Sequence, residues 1–335
     1  MKEMIGDQTK KNVAGNADAK SVKMAGQICR CAIDLAVSCG SVAVILIGDI
    51  PFDASSICSV PVFHVKAGIR DVMDWLSVPK KSSLPIEECA ESIEKESGRK
   101  TDLVRTISAL SFGLDKIREG TVIGIVRSDD DYSIIVHDLR DNDMVRLIND
   151  CCSRINPDVF RSILKVAIDL SVKGREGKKV GTAFIVGDEK EVLSRSHQMI
   201  INPYKSQEPE EKSVLRPENY ESIEGLAQLD GAFIISSEGE IIAAGRYLDV
   251  DAHDFRIEKG LGSRHISAAS ITRDTIAIAF IISESGGTIR VYMDGKEILK
   301  INPQTGELVN DMEACSNPEN CISYDPGNKN LYSDS

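Results

Sequence analysis

Residues 276–293 read IAIAFIISESGGTIRVYM, and this stretch decides the fold. The unbroken apolar run Ile276–Ile282 is the pattern of a strand buried on both faces. Gly286-Gly287 marks a turn, and Ile289–Met293 begins a second strand at once. Working outward, Val180–Val186 is another buried strand and His197–Ile201 a shorter one. Ala232–Ser236 and Ile241–Ala244 form a hairpin around Ser237-Glu238-Gly239-Glu240. Helices are expected at Tyr220–Gln228 and Ile266–Arg273. Strands separated irregularly by helices predict an α/β domain with a mixed sheet.

This domain opens at Asn156-Pro157, a capping residue followed by proline at the first helical position. Val159, Ile163, Val166, Ala167 and Leu170 give that helix an apolar stripe, which ends at Gly174. The preceding half also alternates strand and helix. A helix follows from Val22, Ala25, Ile28, Ala32, Leu35 and Cys39. Strands follow at Val42–Ile47, Val60–Val65, Val122–Val126 and Tyr132–Val136. Helices are expected at Ile69–Leu76, from Pro85, and over Leu103–Ile117. This half reads as a small α/β layer with parallel pairing. The expected division is a flexible leader over 1–20, an α/β domain over 21–137, a connector over 138–156, a second α/β domain over 157–300, and a disordered acidic tail over 301–335.

The totals exclude several classes. The chain has 335 residues, enough for two domains. A net charge of −12 does not suit a general nucleic-acid binder. Nine cysteines without a CxxC pair argue against a disulfide framework and a zinc site, and free thiols point to a reducing, cytoplasmic location. No apolar run approaches the roughly 20 residues of a membrane helix. GxxxxGK[ST], HExxH and GxSxG are absent. Gly260-Leu261-Gly262 begins a GxGxxG pattern, but His265 stands where its last glycine belongs.

Three polar clusters at strand and helix ends remain. Asp230-Gly231-Ala232 precedes a strand, where Gly admits a ligand close to the backbone and Asp can hold a divalent ion. It also suits an ordinary turn. Gly262-Ser263-Arg264-His265 precedes a helix, where backbone N–H groups and Arg attract phosphate. It also suits a Ser cap with exposed neighbours. Ser283-Glu284 follows the strand Ile276–Ile282 and could be a polar turn.

In this order and spacing, the three clusters resemble the catalytic domain of diadenylate cyclases, the family that includes the DNA-integrity scanning protein and membrane-associated bacterial cyclases. Gly181–Asp188 looks like the family's first strand and Ile241–Leu248 like its adenine-contacting segment. Thr288-Ile289 and Met293-Asp294-Gly295 look like its closing hairpin. The likeness covers about residues 157–300. The first domain resembles archaeal members whose extra domain looks like the C-terminal domain of pyruvate kinase. The family often reads Arg-His-Arg; Ile266 replaces the second Arg here, with Arg246, Arg256 and Arg273 nearby in sequence.

The resemblance implies condensation of two ATP into cyclic di-3′,5′-AMP and two pyrophosphates, at a face-to-face dimer of catalytic domains in a homo-oligomer. It implies Mg²⁺ or Mn²⁺ at Asp230 and His265. Gly231 and Ala232 would admit ribose, and Gly262, Ser263, Arg264 and His265 would hold the triphosphate. Ser283 and Glu284 would contact phosphate or metal, while Tyr247 and Leu248 would line the adenine pocket. The rival reading, resting on Ile266, is an inactive nucleotide-binding regulator on the same fold.

Overall fold

The computed structural model describes residues 22–52, 60–65, 100–128, 131–175, 178–249, 256–258, 261–284, 286–301, 308–309 and 321–323. The expected leader and the helices expected at Ile69–Leu76 and from Pro85 lie outside these residues. The chain divides into two compact units, Met1–Asn142 and Asp143–Ser335.

In the first unit, helix α1 (22–38) buries Ala25, Cys29, Ala32, Ile33 and Ala36, the stripe its periodicity requires. They pack with Val44, Leu46, Ile123 and Ile125 of the sheet. That sheet has the order β2-β1-β3-β4, with β1 Ala43–Ile47, β2 Val62–Val65, β3 Thr121–Ser128 and β4 Asp131–Asp138. β1 runs parallel to β2 and to β3. β4 departs from the expected parallel pairing and is antiparallel to β3. Ser128 pairs with Asp131, so the connection is a tight hairpin, too short for a crossover. Helix α2 (Lys100–Gly113) covers β3, where Gly124 has no room for a Cβ beside Val104.

The second unit begins with helix α3 (Asp143–Arg154), which lies within the connector, where at least one helical turn was expected. Its buried positions Val145, Ile148 and Cys151 form a narrow stripe in a charged helix. Helix α4 (Pro157–Lys173) starts as its sequence dictates: the Asn156 side chain accepts a hydrogen bond from the Asp158 N–H, and Gly174 closes the helix at φ 62°.

A mixed eight-stranded sheet follows, ordered β13-β12-β11-β10-β5-β7-β8-β6. Its strands are β5 Thr182–Val186, β6 Ser196–Gln198, β7 Ala232–Ile235, β8 Ile241–Leu248, β10 Ile278–Ile282, β11 Ile289–Met293, β12 Lys296–Ile301 and β13 Leu308–Val309. Only β5 and β7 are parallel neighbours; the other pairs are antiparallel. Both units are therefore α/β.

Alternation along β10 divides the core between two faces. Phe280 meets Phe160 of α4 edge-to-face at 5.4 Å between ring centres. Ala279 and Ile281 cluster instead with Ala268, Ala269 and Ile271 of helix α7 (Ser263–Asp274). Two short helices, α5 (Glu189–Ser194) and α6 (Tyr220–Leu226), complete the unit. Helix α7 starts earlier than expected, so Ser263, Arg264 and His265 form its first turn and Gly262 is the capping position. β8 runs on to Leu248 and carries Tyr247 on a strand.

The expectation of a structureless tail needs correction. Leu308–Val309 pairs with β12, and β14 (Cys321–Ser323) pairs with β9 (Arg256–Glu258). The rest of the tail lies outside the described residues. Among the described residues, no helix is long and apolar enough to cross a membrane.

Candidate active site

The three clusters sit at the ends of β7, α7 and β10, and the sheet order brings those ends together. All of the site residues singled out from the sequence line one cavity of about 840 Å³. Its lining includes Asp230, Gly231 and Ala232 before β7, Gly262–His265 at the start of α7, Ser283 and Glu284 after β10, and Tyr247 and Leu248 at the end of β8.

Gly231 has φ +100°, a conformation that disfavours a side chain. A Cβ there would lie 2.6 Å from the Gly245 carbonyl carbon and 2.7 Å from the Arg246 nitrogen. Both neighbours are backbone of β8 and cannot swing away. Gly231→Ala should therefore destabilise the protein by about 1–3 kcal/mol, measured by urea unfolding. An unchanged midpoint would contradict this account of the turn.

Arg264 reaches across the cavity. Its guanidinium lies 3.4 Å from the Asp230 carboxylate and 3.8 Å from that of Glu284. The carboxylate side chains are 81% and 72% exposed, so these pairs are weak and readily exchanged for another anion. Around it, the first turn of α7 has no acidic residue and no side-chain cap. Its leading N–H groups and the positive end of the helix dipole face anions favourably.

His265 occupies a different environment. It is buried, and burial, then Arg290 and Arg264, push its pKa down to about 3. It is a neutral imidazole at physiological pH, with Nδ1 3.3 Å from the Tyr292 hydroxyl. Elsewhere in the cavity lining, Tyr247 is exposed and packs against the His197 ring at 5.2 Å. The His197 Nδ1 in turn lies 2.7 Å from the Asp249 carboxylate.

Several lining residues were not among those singled out: Ala183, Met199, Arg246, Ser267, Ile281 and Ile282. Arg246 Nε donates to the Ser196 hydroxyl and an Nη donates to the Leu193 carbonyl, so this cation braces the wall. Arg273 pairs with Asp274. Neither arginine therefore stands in simply for the residue replaced by Ile266, and the Arg256 side chain lies outside the described residues. Gly181 belongs to the site for a steric reason. A Cβ there would lie 2.8 Å from the Arg264 guanidinium and 2.9 Å from Glu284 Cβ. Its position before an apolar strand was legible, but the need for a missing side chain was not.

A divalent cation suits the donors present. Asp230 offers an exposed carboxylate and His265 a neutral ring on the same cavity, an oxygen and a nitrogen donor compatible with Mg²⁺ or Mn²⁺. Among the described residues, no group of three or more His, Cys, Asp or Glu forms a ready cage.

Comparison with known proteins follows the same division of the chain. Residues 169–297 match the family described as "DisA bacterial checkpoint controller nucleotide-binding". Residues 28–140 match the one described as "Probable sensor domain DacZ_A". A diadenylate cyclase of Haloferax volcanii is 43% identical over 152 residues, 45% of this chain and 55% of that protein. A diadenylate cyclase of Methanocaldococcus jannaschii is 41% identical over 150 residues, 44% of this chain and 47% of that protein. The matched stretch thus spans about half the length of these curated relatives. A solved structure of DacA from Staphylococcus aureus is 24% identical, covering 42% of this chain and 83% of that one at a TM-score of 0.28. Residues 169–297, within the second unit, are therefore similar to the nucleotide-binding domain of diadenylate cyclases.

Proposed function

We propose that the protein is a diadenylate cyclase that condenses two ATP into cyclic di-3′,5′-AMP and two pyrophosphates. One observation carries the reading: three clusters, far apart in sequence, converge on a single cavity that joins a helix N-terminus, an arginine, a carboxylate and a neutral histidine. The likeness to two curated cyclases over the same residues supports it.

In this reaction each 3′-hydroxyl attacks the α-phosphorus of the other ATP, and pyrophosphate leaves. Two 3′–5′ bonds form and two phosphoanhydride bonds break. No protein nucleophile is needed, so the chain's work is positioning and charge neutralisation. Arg264, Ser263 and the leading N–H groups of α7 hold the triphosphate, with Ser283 and Glu284 at the opposite wall. Gly231 and Ala232 let the ribose approach the backbone, and Tyr247 and Leu248 flank the base. Asp230 and His265 would hold Mg²⁺ or Mn²⁺. When bound, that cation neutralises phosphate charge and favours ionisation of the 3′-hydroxyl. The weak Arg264–Asp230 contact would leave Arg264 available to phosphate and Asp230 to the cation.

Each site holds one ATP, so the chemistry requires two catalytic domains facing each other about a two-fold axis. The first unit would act as the sensor or assembly element. The pyruvate-kinase-like reading of it rests on its parallel three-strand centre. A cytoplasmic location is supported by free thiols, among them Cys29, Cys31 and Cys151. Incubating the purified chain with ATP and Mg²⁺ or Mn²⁺ tests the reading. Cyclic di-AMP should appear by mass spectrometry, and its absence with both metals would overturn it.

A further inference from the structure

Behind His265, away from the groups assigned to substrate, lies a buried polar chain. Tyr292 Oη is 3.3 Å from His265 Nδ1 and donates to Glu297 Oε2 at 3.2 Å. Glu297 is ion-paired with Arg290, Oε2 to Nε at 3.0 Å. His265, Tyr292 and Arg290 are 4%, 4% and 7% exposed, and the Glu297 side chain is 14% exposed.

The order of donors in this chain is set by charge. Glu297 beside the Arg290 guanidinium is a carboxylate, which accepts only. The single Tyr292 hydroxyl proton must then point to Glu297, because two acceptors would otherwise face each other at 3.2 Å. The Tyr292 oxygen is left as an acceptor towards His265, which requires the proton on Nδ1. A neutral imidazole with Nδ1–H keeps the Nε2 lone pair bare.

Local backbone irregularity builds this arrangement. Along β11 and β12, Val291 is opposite Leu299 and Tyr292 is opposite Glu297, so the register slips by one residue at Ile298. Without that bulge Tyr292 would face Ile298, an apolar side chain with no acceptor. A bulge beside a functional site commonly re-aims a side chain in this way.

We infer that Tyr292 and Glu297, anchored by Arg290, are positioning residues that hold His265 in the Nδ1–H tautomer and so present Nε2 as the ligand for the catalytic divalent cation. The inference rests on the metal-binding role proposed above for His265. A partner for the second ring nitrogen is the usual companion of a metal-bound histidine, and its loss typically weakens metal affinity 10- to 100-fold.

The test uses the full chain and two variants, Tyr292→Phe and Glu297→Gln. Both keep side-chain size, and circular dichroism and the melting temperature establish that each is folded. With ¹⁵N-labelled imidazoles, the His265 signal is assigned by its loss in His265→Gln. It should show Nδ1–H and a bare Nε2 in the parent chain, and a shift towards Nε2–H in Tyr292→Phe. Binding of Mn²⁺ alone, followed by electron paramagnetic resonance, should weaken about 10- to 100-fold in both variants. An Nε2–H tautomer in the parent chain, a tautomer unmoved in Tyr292→Phe, or Mn²⁺ affinity within about twofold of the parent would each overturn the inference. Neither readout depends on turnover, so a chain that makes no cyclic di-AMP would defeat the proposed activity without deciding this point.

Discussion

Asp230→Asn should lower cyclic di-AMP formation by on the order of a thousandfold while leaving the protein folded. The substitution keeps shape and removes only the charge. The parent side chain is 81% exposed, and the Arg264 guanidinium it pairs with is 3.4 Å away. Exposed pairs at such distances contribute little to stability, so the melting temperature should hardly move. The reaction should suffer because Asp230 is an exposed carboxylate on the cavity that His265 also lines, just before the strand that would receive the ribose. Turnover within about tenfold of the parent would remove the metal-ligand role from Asp230.

Arg264→Ala should lower kcat/KM for ATP by about 10²- to 10³-fold, with much of the loss in kcat. Arg264 projects from the first turn of α7 across the mouth of the cavity, and Gly181 leaves the space it crosses. Its bonds to the phosphates would strengthen as charge moves onto the leaving pyrophosphate, so its removal affects the transition state more than binding. Stability should change by less than about 0.5 kcal/mol, as for other exposed substitutions. A rise in KM at constant kcat would instead make Arg264 a binding residue only. Arg264→Lys should recover little, because a point charge cannot reproduce the forked contacts of a guanidinium.

The sequence was most readable where one element's own chemistry decides its state. The two strands over 276–293 needed only an apolar run and a glycine pair, and the structure pairs them antiparallel. The start of α4 needed only Asn156 and Pro157. Elements stabilised by a few distant contacts were harder to see. α5 buries little besides Val192 in the charged segment EKEVLS, and α3 presents only three buried positions. β4 looked like one more strand of a parallel layer, and only the length of its hairpin shows that it cannot be.

The site divides in the same way. Asp230, Arg264 and Glu284 each suit an ordinary turn or cap alone and were singled out only by the order and spacing of the three clusters; the structure brings them to one cavity. The burial of His265 was not legible. It follows from where α7 begins: once Ser263 is the first helical residue, His265 shares a face with Ala268 and Ala269 and turns inward. The chain behind it was less visible still, since Glu297 reaches Tyr292 through a one-residue slip that no periodicity announces. Ile266 takes on a different meaning in the fold. It is the next residue of the helix and is not among the cavity-lining residues, so its replacement of an arginine leaves the charged wall formed by Arg264 in place.

Two such cavities, each holding one ATP, would together join two ATP molecules. The most direct measurement is the product balance when the purified chain is incubated with ATP and Mg²⁺ or Mn²⁺, with nucleotides resolved by mass spectrometry and pyrophosphate assayed in parallel. The account predicts one cyclic di-AMP and two pyrophosphates for every two ATP consumed. Binding of ATP without cyclic dinucleotide, with either metal, would contradict it.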